Sequence, residues 1–284
     1  MPKIFHENTQ SSPNNRFIGV FTLAMMTVSA IISLRNLPST ALEGSTCIFF
    51  FLVAAVCFLI PVALSCAELA SAWPKQGGIY IWIKEAFGPK FGFLALWLEW
   101  AESVVWLPTI LSFMATTTAY LINSDLVQNK FFILSAMLIF LWTGTIANFK
   151  GISVSSAISS LGVIIGSIIP AILLVILGAV YLYSDSGTYL NWSWATGEAS
   201  LLPSFDLNSL VIFTGILLGF GGMEIPAYHV RSVIKPKKSY PKAMFLATAI
   251  ILAISILGSL AIASVVPKDQ INLTAGPLQA FYVF

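Results

Sequence analysis

Seven long apolar runs separated by short polar connections set the pattern of this chain, near 17–42, 47–72, 91–122, 131–149, 153–183, 208–230 and 241–266. Each has the roughly 20 residues an α-helix needs to cross about 30 Å of hydrocarbon, which predicts seven membrane crossings. The third and fifth runs are longer, and tilt or extension beyond the bilayer absorbs the surplus without extra crossings. Ahead of them, residues 1–16 are rich in Asn, Gln, Ser and Pro and are predicted to form a disordered tail. The first apolar run is too long for the core of a secretory signal and shows no clear cleavage site. Between the second and third runs, Trp73-Pro-Lys-Gln-Gly-Gly78 turns the chain into an amphipathic stretch from Ile79 to Phe87. A loop at about 184–207 carries Trp192 and Trp194, side chains suited to a membrane–water interface.

Two crossings carry their own interruption. In the sixth, Gly215-Ile-Leu-Leu-Gly219-Phe-Gly221-Gly222-Met-Glu224-Ile-Pro226 begins as a helix and then undoes it. Each glycine weakens a helix by about 1 kcal/mol relative to alanine. Pro226 cannot donate to the Gly222 carbonyl, and its ring crowds that group. Glu224 then places a carboxylate where hydrocarbon makes a charge cost about 2.5–3.5 kcal/mol. The first crossing reads Ser29-Ala-Ile-Ile-Ser33-Leu-Arg35-Asn-Leu-Pro38. Pro38 is expected to leave the Leu34 carbonyl unpaired, and Ser33, Arg35 and Asn36 make the same neighbourhood polar. Freed backbone groups are not tolerated against lipid but are useful lining a buried polar cavity. If crossings one to five form one repeat, the sixth opens a second of opposite topology, because five is odd. Matching interruptions at the start of two inverted halves point to a binding site near the bilayer midplane.

Composition narrows the class. Hydrophobic residues make up 57% and charged residues 9%, against about 45–50% and 25% in soluble domains. With a mean hydropathy of +0.88, this is the profile of an integral membrane protein. A net charge of +2 gives no reason to expect nucleic acid; where the charges lie matters more. With the N-terminus inside, 11 of the 14 Lys and Arg fall on the cytoplasmic side. They include Arg16, Lys75, Lys150 and the group from Arg231 to Lys242. Lys130 and Lys268 fall outside, and Arg35 lies within a crossing, so the positive-inside bias is clear. The basic loop after the sixth crossing reads as a topology anchor or a regulatory site. Cys47, Cys57 and Cys66 lie in one apolar run at spacings that fit neither zinc nor a disulfide framework. His6 lies in the tail and His229 at a helix end, so no metal centre and no cofactor is expected. With no histidine–carboxylate or cysteine cluster at the membrane surface, an enzyme is not expected either.

Several stretches in this order resemble one family: Ala67-Glu68-Leu-Ala, Trp73-Pro-Lys-Gln-Gly-Gly78, Gly222-Met-Glu224, Tyr240-Pro-Lys-Ala-Met244 and Ile271-Asn-Leu-Thr-Ala-Gly276. Essentially the whole chain resembles the amino acid–polyamine–organocation superfamily, and within it the bacterial glutamate/gamma-aminobutyrate antiporters. The resemblance implies an all-α integral membrane fold of LeuT type, two inverted five-helix repeats in a chain of about twelve crossings. On that plan residues 17–183 are the first repeat, 184–207 an outer loop, and 208–284 the start of the second repeat. The fold here would be incomplete, with about seven transmembrane helices, the first and sixth interrupted. The resemblance further implies that the substrate carboxylate meets N–H groups at Ile31, Ile32 and Ser33. Its ammonium would meet carbonyls at Ser29, Leu218 and Gly221. Half-helix ends suit both tasks: free donors and partial positive charge at an N-terminus, exposed carbonyls for a cation.

The chain departs from the family pattern in four places. A glycine-serine-glycine run at the first break is here Ile31-Ile32-Ser33, so unwinding must rest on Pro38 and packing. The position of a gating tryptophan in arginine exchangers is Leu218. The run 153–183 has no charged residue, which weakens proton symport through a fifth-crossing lysine and leaves exchange as the simpler reading. Arg35 is the last departure. It is expected to attract a substrate side-chain carboxylate, or else to pair with Glu99 or Glu102, which share one face of the third crossing. The alternative role for those two glutamates is to carry protons, since burial and mutual proximity favour the protonated form. Glu224 is expected to accept hydrogen bonds from N–H groups of the broken helix and hold its geometry; direct substrate contact is the lesser reading.

These readings converge on a secondary amino acid antiporter of the bacterial inner membrane, exchanging glutamate or a related amino acid by alternating access. Its expected partners are a small-molecule amino acid and the lipid bilayer. The apolar end at Phe284, two crossings into the second repeat, suggests a truncated frame or half of a split protein, with a second polypeptide supplying the missing crossings. On that view the chain alone is expected to be inactive. The rival reading is a seven-span receptor or sensor that binds an amino acid without transport. Against it stand the inside N-terminus and the lack of a lysine between Ala243 and Pro267.

Overall fold

The computed structural model describes residues 16–75, 77–184, 187–190, 202–203, 206–273 and 276–284. The predicted disordered tail, apart from Arg16, and the loop tryptophans Trp192 and Trp194 lie outside them. Among the described residues the chain is helical, and one isolated parallel bridge joins Ile18 to Val233.

The first crossing is split into α1 (Val20–Ile31), a 3-10 turn (Leu34–Asn36) and α2 (Leu37–Ala41). The second comprises α3 (Cys47–Ala54) and α4 (Ile60–Ala72) around a π-turn at Ala55–Leu59. The amphipathic stretch forms α5 (Gly78–Phe87), and the third and fourth crossings are α6 (Pro89–Ile122) and α7 (Lys130–Phe149). The fifth is α8 (Ile152–Val163) and α9 (Ile169–Tyr183) around a π-turn at Ile164–Ile168. The sixth consists of α10 (Leu207–Gly219) and a 3-10 segment (Ile225–Ser232); α11 (Pro236–Val265) and α12 (Gly276–Val283) follow.

Both π-turns end two residues before a proline, Pro61 and Pro170. Proline lacks the N–H and crowds the carbonyl four residues back, so the ladder widens by one residue and continues. Six helical runs are each long and apolar enough to cross a membrane. The seventh expected crossing does not qualify as a single helix, because α10 stops after 13 residues. Thus the structure is an all-α membrane bundle whose first and sixth crossings are interrupted.

α11 is the centre of the packing. Its buried face, including Ala243, Met244, Ala247 and Ile251, joins a core with Leu23 and Val28 of α1, Ala63 and Ala67 of α4, and Phe220 and Met223 of the sixth crossing. Small residues let helices approach closely: a Cβ on Gly258 of α11 would lie 2.8 Å from Leu37, and one on Gly178 of α9 would lie 3.0 Å from Ala261. By contrast, none of the described side chains of α7 is buried.

Candidate substrate-binding site

The first break begins where α1 ends. Ile32 (φ −69°, ψ 123°) and Ser33 (φ −134°, ψ 118°) are extended. Two residues in that conformation carry the chain out of reach of the α-helical ladder. The Ser33 N–H has no backbone acceptor among the described residues. Leu34 and Arg35 open a new turn, where the first donors lack intrahelical partners. Two expectations need correction here. The Leu34 carbonyl is not left unpaired by Pro38: it accepts from the Leu37 N–H, because a 3-10 turn bonds three residues back. Pro38 instead sits at the start of α2, where its missing N–H costs nothing. Nor are all three expected donors free: the Ile32 N–H is bonded to the Val28 carbonyl at 2.8 Å, and Ile31 is the last residue of α1.

The second break begins at Gly219. The Phe220 N–H bonds back to Ile216 and Leu217, and the Gly221 N–H to the Leu218 carbonyl at 3.2 Å. Gly222 then takes φ +113°, a conformation only glycine adopts without strain. Its carbonyl, expected to be freed by Pro226, accepts from the Ile225 N–H at 3.2 Å. The Leu218 carbonyl likewise already has one donor, so its capacity for an ammonium is its second lone pair. Beyond the break, the 3-10 segment is held from two sides. Tyr240 donates its hydroxyl to the Pro226 carbonyl at 2.9 Å, and Tyr228 donates to Glu99 of α6. The ring of Tyr228 covers Gly78, where an added Cβ would lie 3.0 Å from it.

The breaks lie side by side. An added Cβ on Gly222 would lie 3.4 Å from the Ile31 side chain and 3.5 Å from the Ala30 carbonyl. One on Gly219 would meet the Asn36 amide at 3.2 Å. Together they line a cavity of about 550 Å³. Of the residues expected at the site, Ile31, Ile32, Ser33, Arg35, Leu218, Gly219, Gly221, Gly222, Glu224, Glu99 and Glu102 line it. Ser29, Pro38 and Pro226 do not. The Ser29 hydroxyl turns away and shares a 2.8 Å hydrogen bond with Ser159 of α8.

Arg35 is half-buried and forms no ion pair among the described residues. The expected pairing with Glu99 or Glu102 is therefore not made. Instead Arg35 also lines a second cavity of about 670 Å³, with Pro108, Thr109, Ser112 and Thr116 of α6. Glu99 lies nine residues before Pro108 on that helix, about 13 Å at 1.5 Å per residue. Arg35, Glu99, Glu102 and Glu224 thus all line the first cavity, and no ion pair joins Arg35 to any of the three carboxylates among the described residues. Three groups escaped sequence reasoning: Ser159, Tyr228 and the hydroxyl row Thr109, Ser112, Thr116. A row of hydroxyls at helical spacing is visible in the sequence, but the other two are placed by contacts 130 and 129 residues apart.

A family model described as amino acid permease matches residues 18–284. The chain belongs to the amino acid permease family. Among similar permeases, it is 41% identical over 272 residues to an uncharacterized transporter, lpg1691, of Legionella pneumophila, covering 95% of this chain and 58% of that protein. It is 28% identical to a glutamate/gamma-aminobutyrate antiporter of Lactococcus lactis, over 94% of this chain and 53% of the relative. A probable agmatine/putrescine antiporter, AguD, of the same species is 26% identical over 93% of this chain and 55% of the relative. The chain thus spans little more than half the length of these permeases. Within the family frame the matched stretches gain physical roles: Gly78 admits the ring of Tyr228, Tyr240 pins the segment after the second break, and Gly276 makes room for Pro38.

Proposed function

We propose that this chain carries the substrate-binding half of an amino acid antiporter that exchanges glutamate or a related amino acid, such as gamma-aminobutyrate, across the bacterial inner membrane. The reading rests chiefly on one observation: two interrupted crossings meet at a cavity lined by charged groups of both signs that are not paired with one another. Free N–H groups at Ser33 to Arg35 and the Arg35 guanidinium suit carboxylates. The carbonyls of Leu218 and Gly221, with the carboxylates of Glu99, Glu102 and Glu224, suit an ammonium. A substrate that carries both charges has partners for each in this cavity. The names of two similar permeases support the same class. α1 with α10, moving against a scaffold of α6 to α9, would open the site to each side in turn, with residues 17–183 and 208–284 belonging to inverted repeats and the N-terminus cytoplasmic. Glu99 and Glu102 are the groups available for coupling.

Full-length protein in vesicles should support counterflow of radiolabelled glutamate, and Arg35→Ala should abolish it. Ligand-induced thermal stabilisation without flux would favour a sensor over a carrier. Unchanged glutamate counterflow in Arg35→Ala would remove Arg35 from substrate recognition.

A further inference from the structure

Six exposed cations, Arg16, Arg231, Lys235, Lys237, Lys238 and Lys242, lie on two segments that the backbone ties together. The N–H groups of Phe17 and Ile18 both donate to the Ser232 carbonyl, at 3.0 and 2.9 Å, and the Ile234 N–H donates to Ile18 at 2.9 Å. These bonds set the parallel pair Ile18 and Val233. Two positions before each member of that pair stand Arg16 and Arg231, so the tie brings the segments that carry both arginines together. Two positions after Val233, Lys235 is held in the left-handed region at φ 47°. Lys237 and Lys238 then occupy the first turn of α11, the positive end of the helix dipole, where cations are disfavoured.

Among the described residues no carboxylate pairs with any of the six. Residues 16–42 and 225–268 contain no Asp or Glu. Among the described residues, the ion pair formed is Lys75–Glu85, which involves none of the six. Apolar side chains are exposed beside the cations: Phe17 and Ile234 next to Arg16 and Lys235, and Phe21 and Phe245 one turn into the crossings. Cations before and within the first turns of two membrane helices, with exposed apolar groups beside them, match the boundary between headgroups and acyl chains. A topology signal needs only the number of charges. It does not need them brought together against their own repulsion and against a helix dipole.

We propose that this cluster is a binding site for the phosphate headgroup of an anionic phospholipid. The inference stands on the membrane-crossing fold alone and is independent of the transport reading. Cations near an anionic membrane surface each contribute about five-fold to partitioning, and screening by salt weakens them.

The test uses the purified full-length chain in nanodiscs of phosphatidylcholine with increasing phosphatidylglycerol, reading the thermal unfolding midpoint and the lipids retained in native mass spectrometry. Wild type should retain phosphatidylglycerol preferentially, and its midpoint should rise with the anionic fraction. Arg16→Gln with Arg231→Gln should lose about ten- to thirty-fold of that preference, and Lys150→Gln, a single exposed cation elsewhere, should lose at most about five-fold. Equal retention of both lipids, or an unchanged preference in the double variant, would overturn the proposal. Equal loss in Lys150→Gln would reduce it to general surface charge. Stabilisation by inorganic phosphate in phosphatidylcholine nanodiscs, matching that by phosphatidylglycerol, would assign the cluster to a free anion instead.

Discussion

Arg35 and the pair Thr40–Ser259 illustrate two different uses of polar side chains inside a membrane bundle. Arg35 lines two cavities and has no ion-pair partner among the described residues, an arrangement that costs stability and leaves the charge available to a ligand. Replacing it by lysine keeps the charge but loses the planar fork. Arg35→Lys should therefore retain glutamate counterflow with about tenfold weaker apparent affinity, measured from the concentration dependence of uptake. Thr40 and Ser259, in contrast, satisfy each other at 2.5 Å, and both are buried. Thr40 also donates to the Leu37 carbonyl at 3.0 Å, so it is loss of the Thr40 hydroxyl that strands Ser259. Thr40→Val should destabilise by about 1–2 kcal/mol, while Thr40→Val with Ser259→Ala should recover most of that loss. Thermal unfolding of the purified protein in detergent reads both. Arg35 could be singled out from sequence, because a charge in an apolar run is conspicuous. Thr40 and Ser259 could not, since hydroxyls in membrane helices ordinarily bond their own backbone four residues back, as Thr27 does to Leu23.

At the scale of the element, the interruptions were legible but their construction was not. Three glycines and a proline foretold that the sixth crossing would break, and α10 does end at Gly219. In the first crossing Pro38 drew attention downstream of the true gap, which is the extended pair Ile32–Ser33. Neither residue has a propensity that marks the spot; packing of Ile31 against Gly222 sets it. Likewise Pro61 and Pro170 announce a disturbance, yet only the packed helix decides between a kink and the π-turns observed. Gly222 gives the sharpest test here. Its φ of +113° makes Gly222→Ala cost about 1–3 kcal/mol in backbone strain, although the added methyl would find ordinary contact at 3.4 Å. A fall in the unfolding midpoint with retained helical circular dichroism is expected; an unchanged midpoint would mean that the break does not need this conformation.

For the molecule as a whole, the seven apolar runs predicted the crossings and the membrane class. What they could not convey is which helix sits in the middle. α11 and α7 are both long and apolar enough to cross a membrane, yet one has more buried residues than any other described helix and the other no buried side chain among those described. Apolar residues serve equally against lipid and against protein, so a membrane helix lacks the polar face that would orient it. Small residues at close approaches, such as Gly258 and Ala261, carry the signal instead. The account finally depends on backbone that is unwound, adjacent and able to hold an amino acid in mid-membrane. Hydrogen–deuterium exchange of the full-length protein in nanodiscs, with and without glutamate, tests this most directly. Amides of Ser33, Leu34, Gly222 and Met223 should exchange far faster than those of flanking α1 and α10, and glutamate should slow them. Exchange as slow as in the flanking helices, or fast exchange that glutamate leaves unchanged, would contradict it.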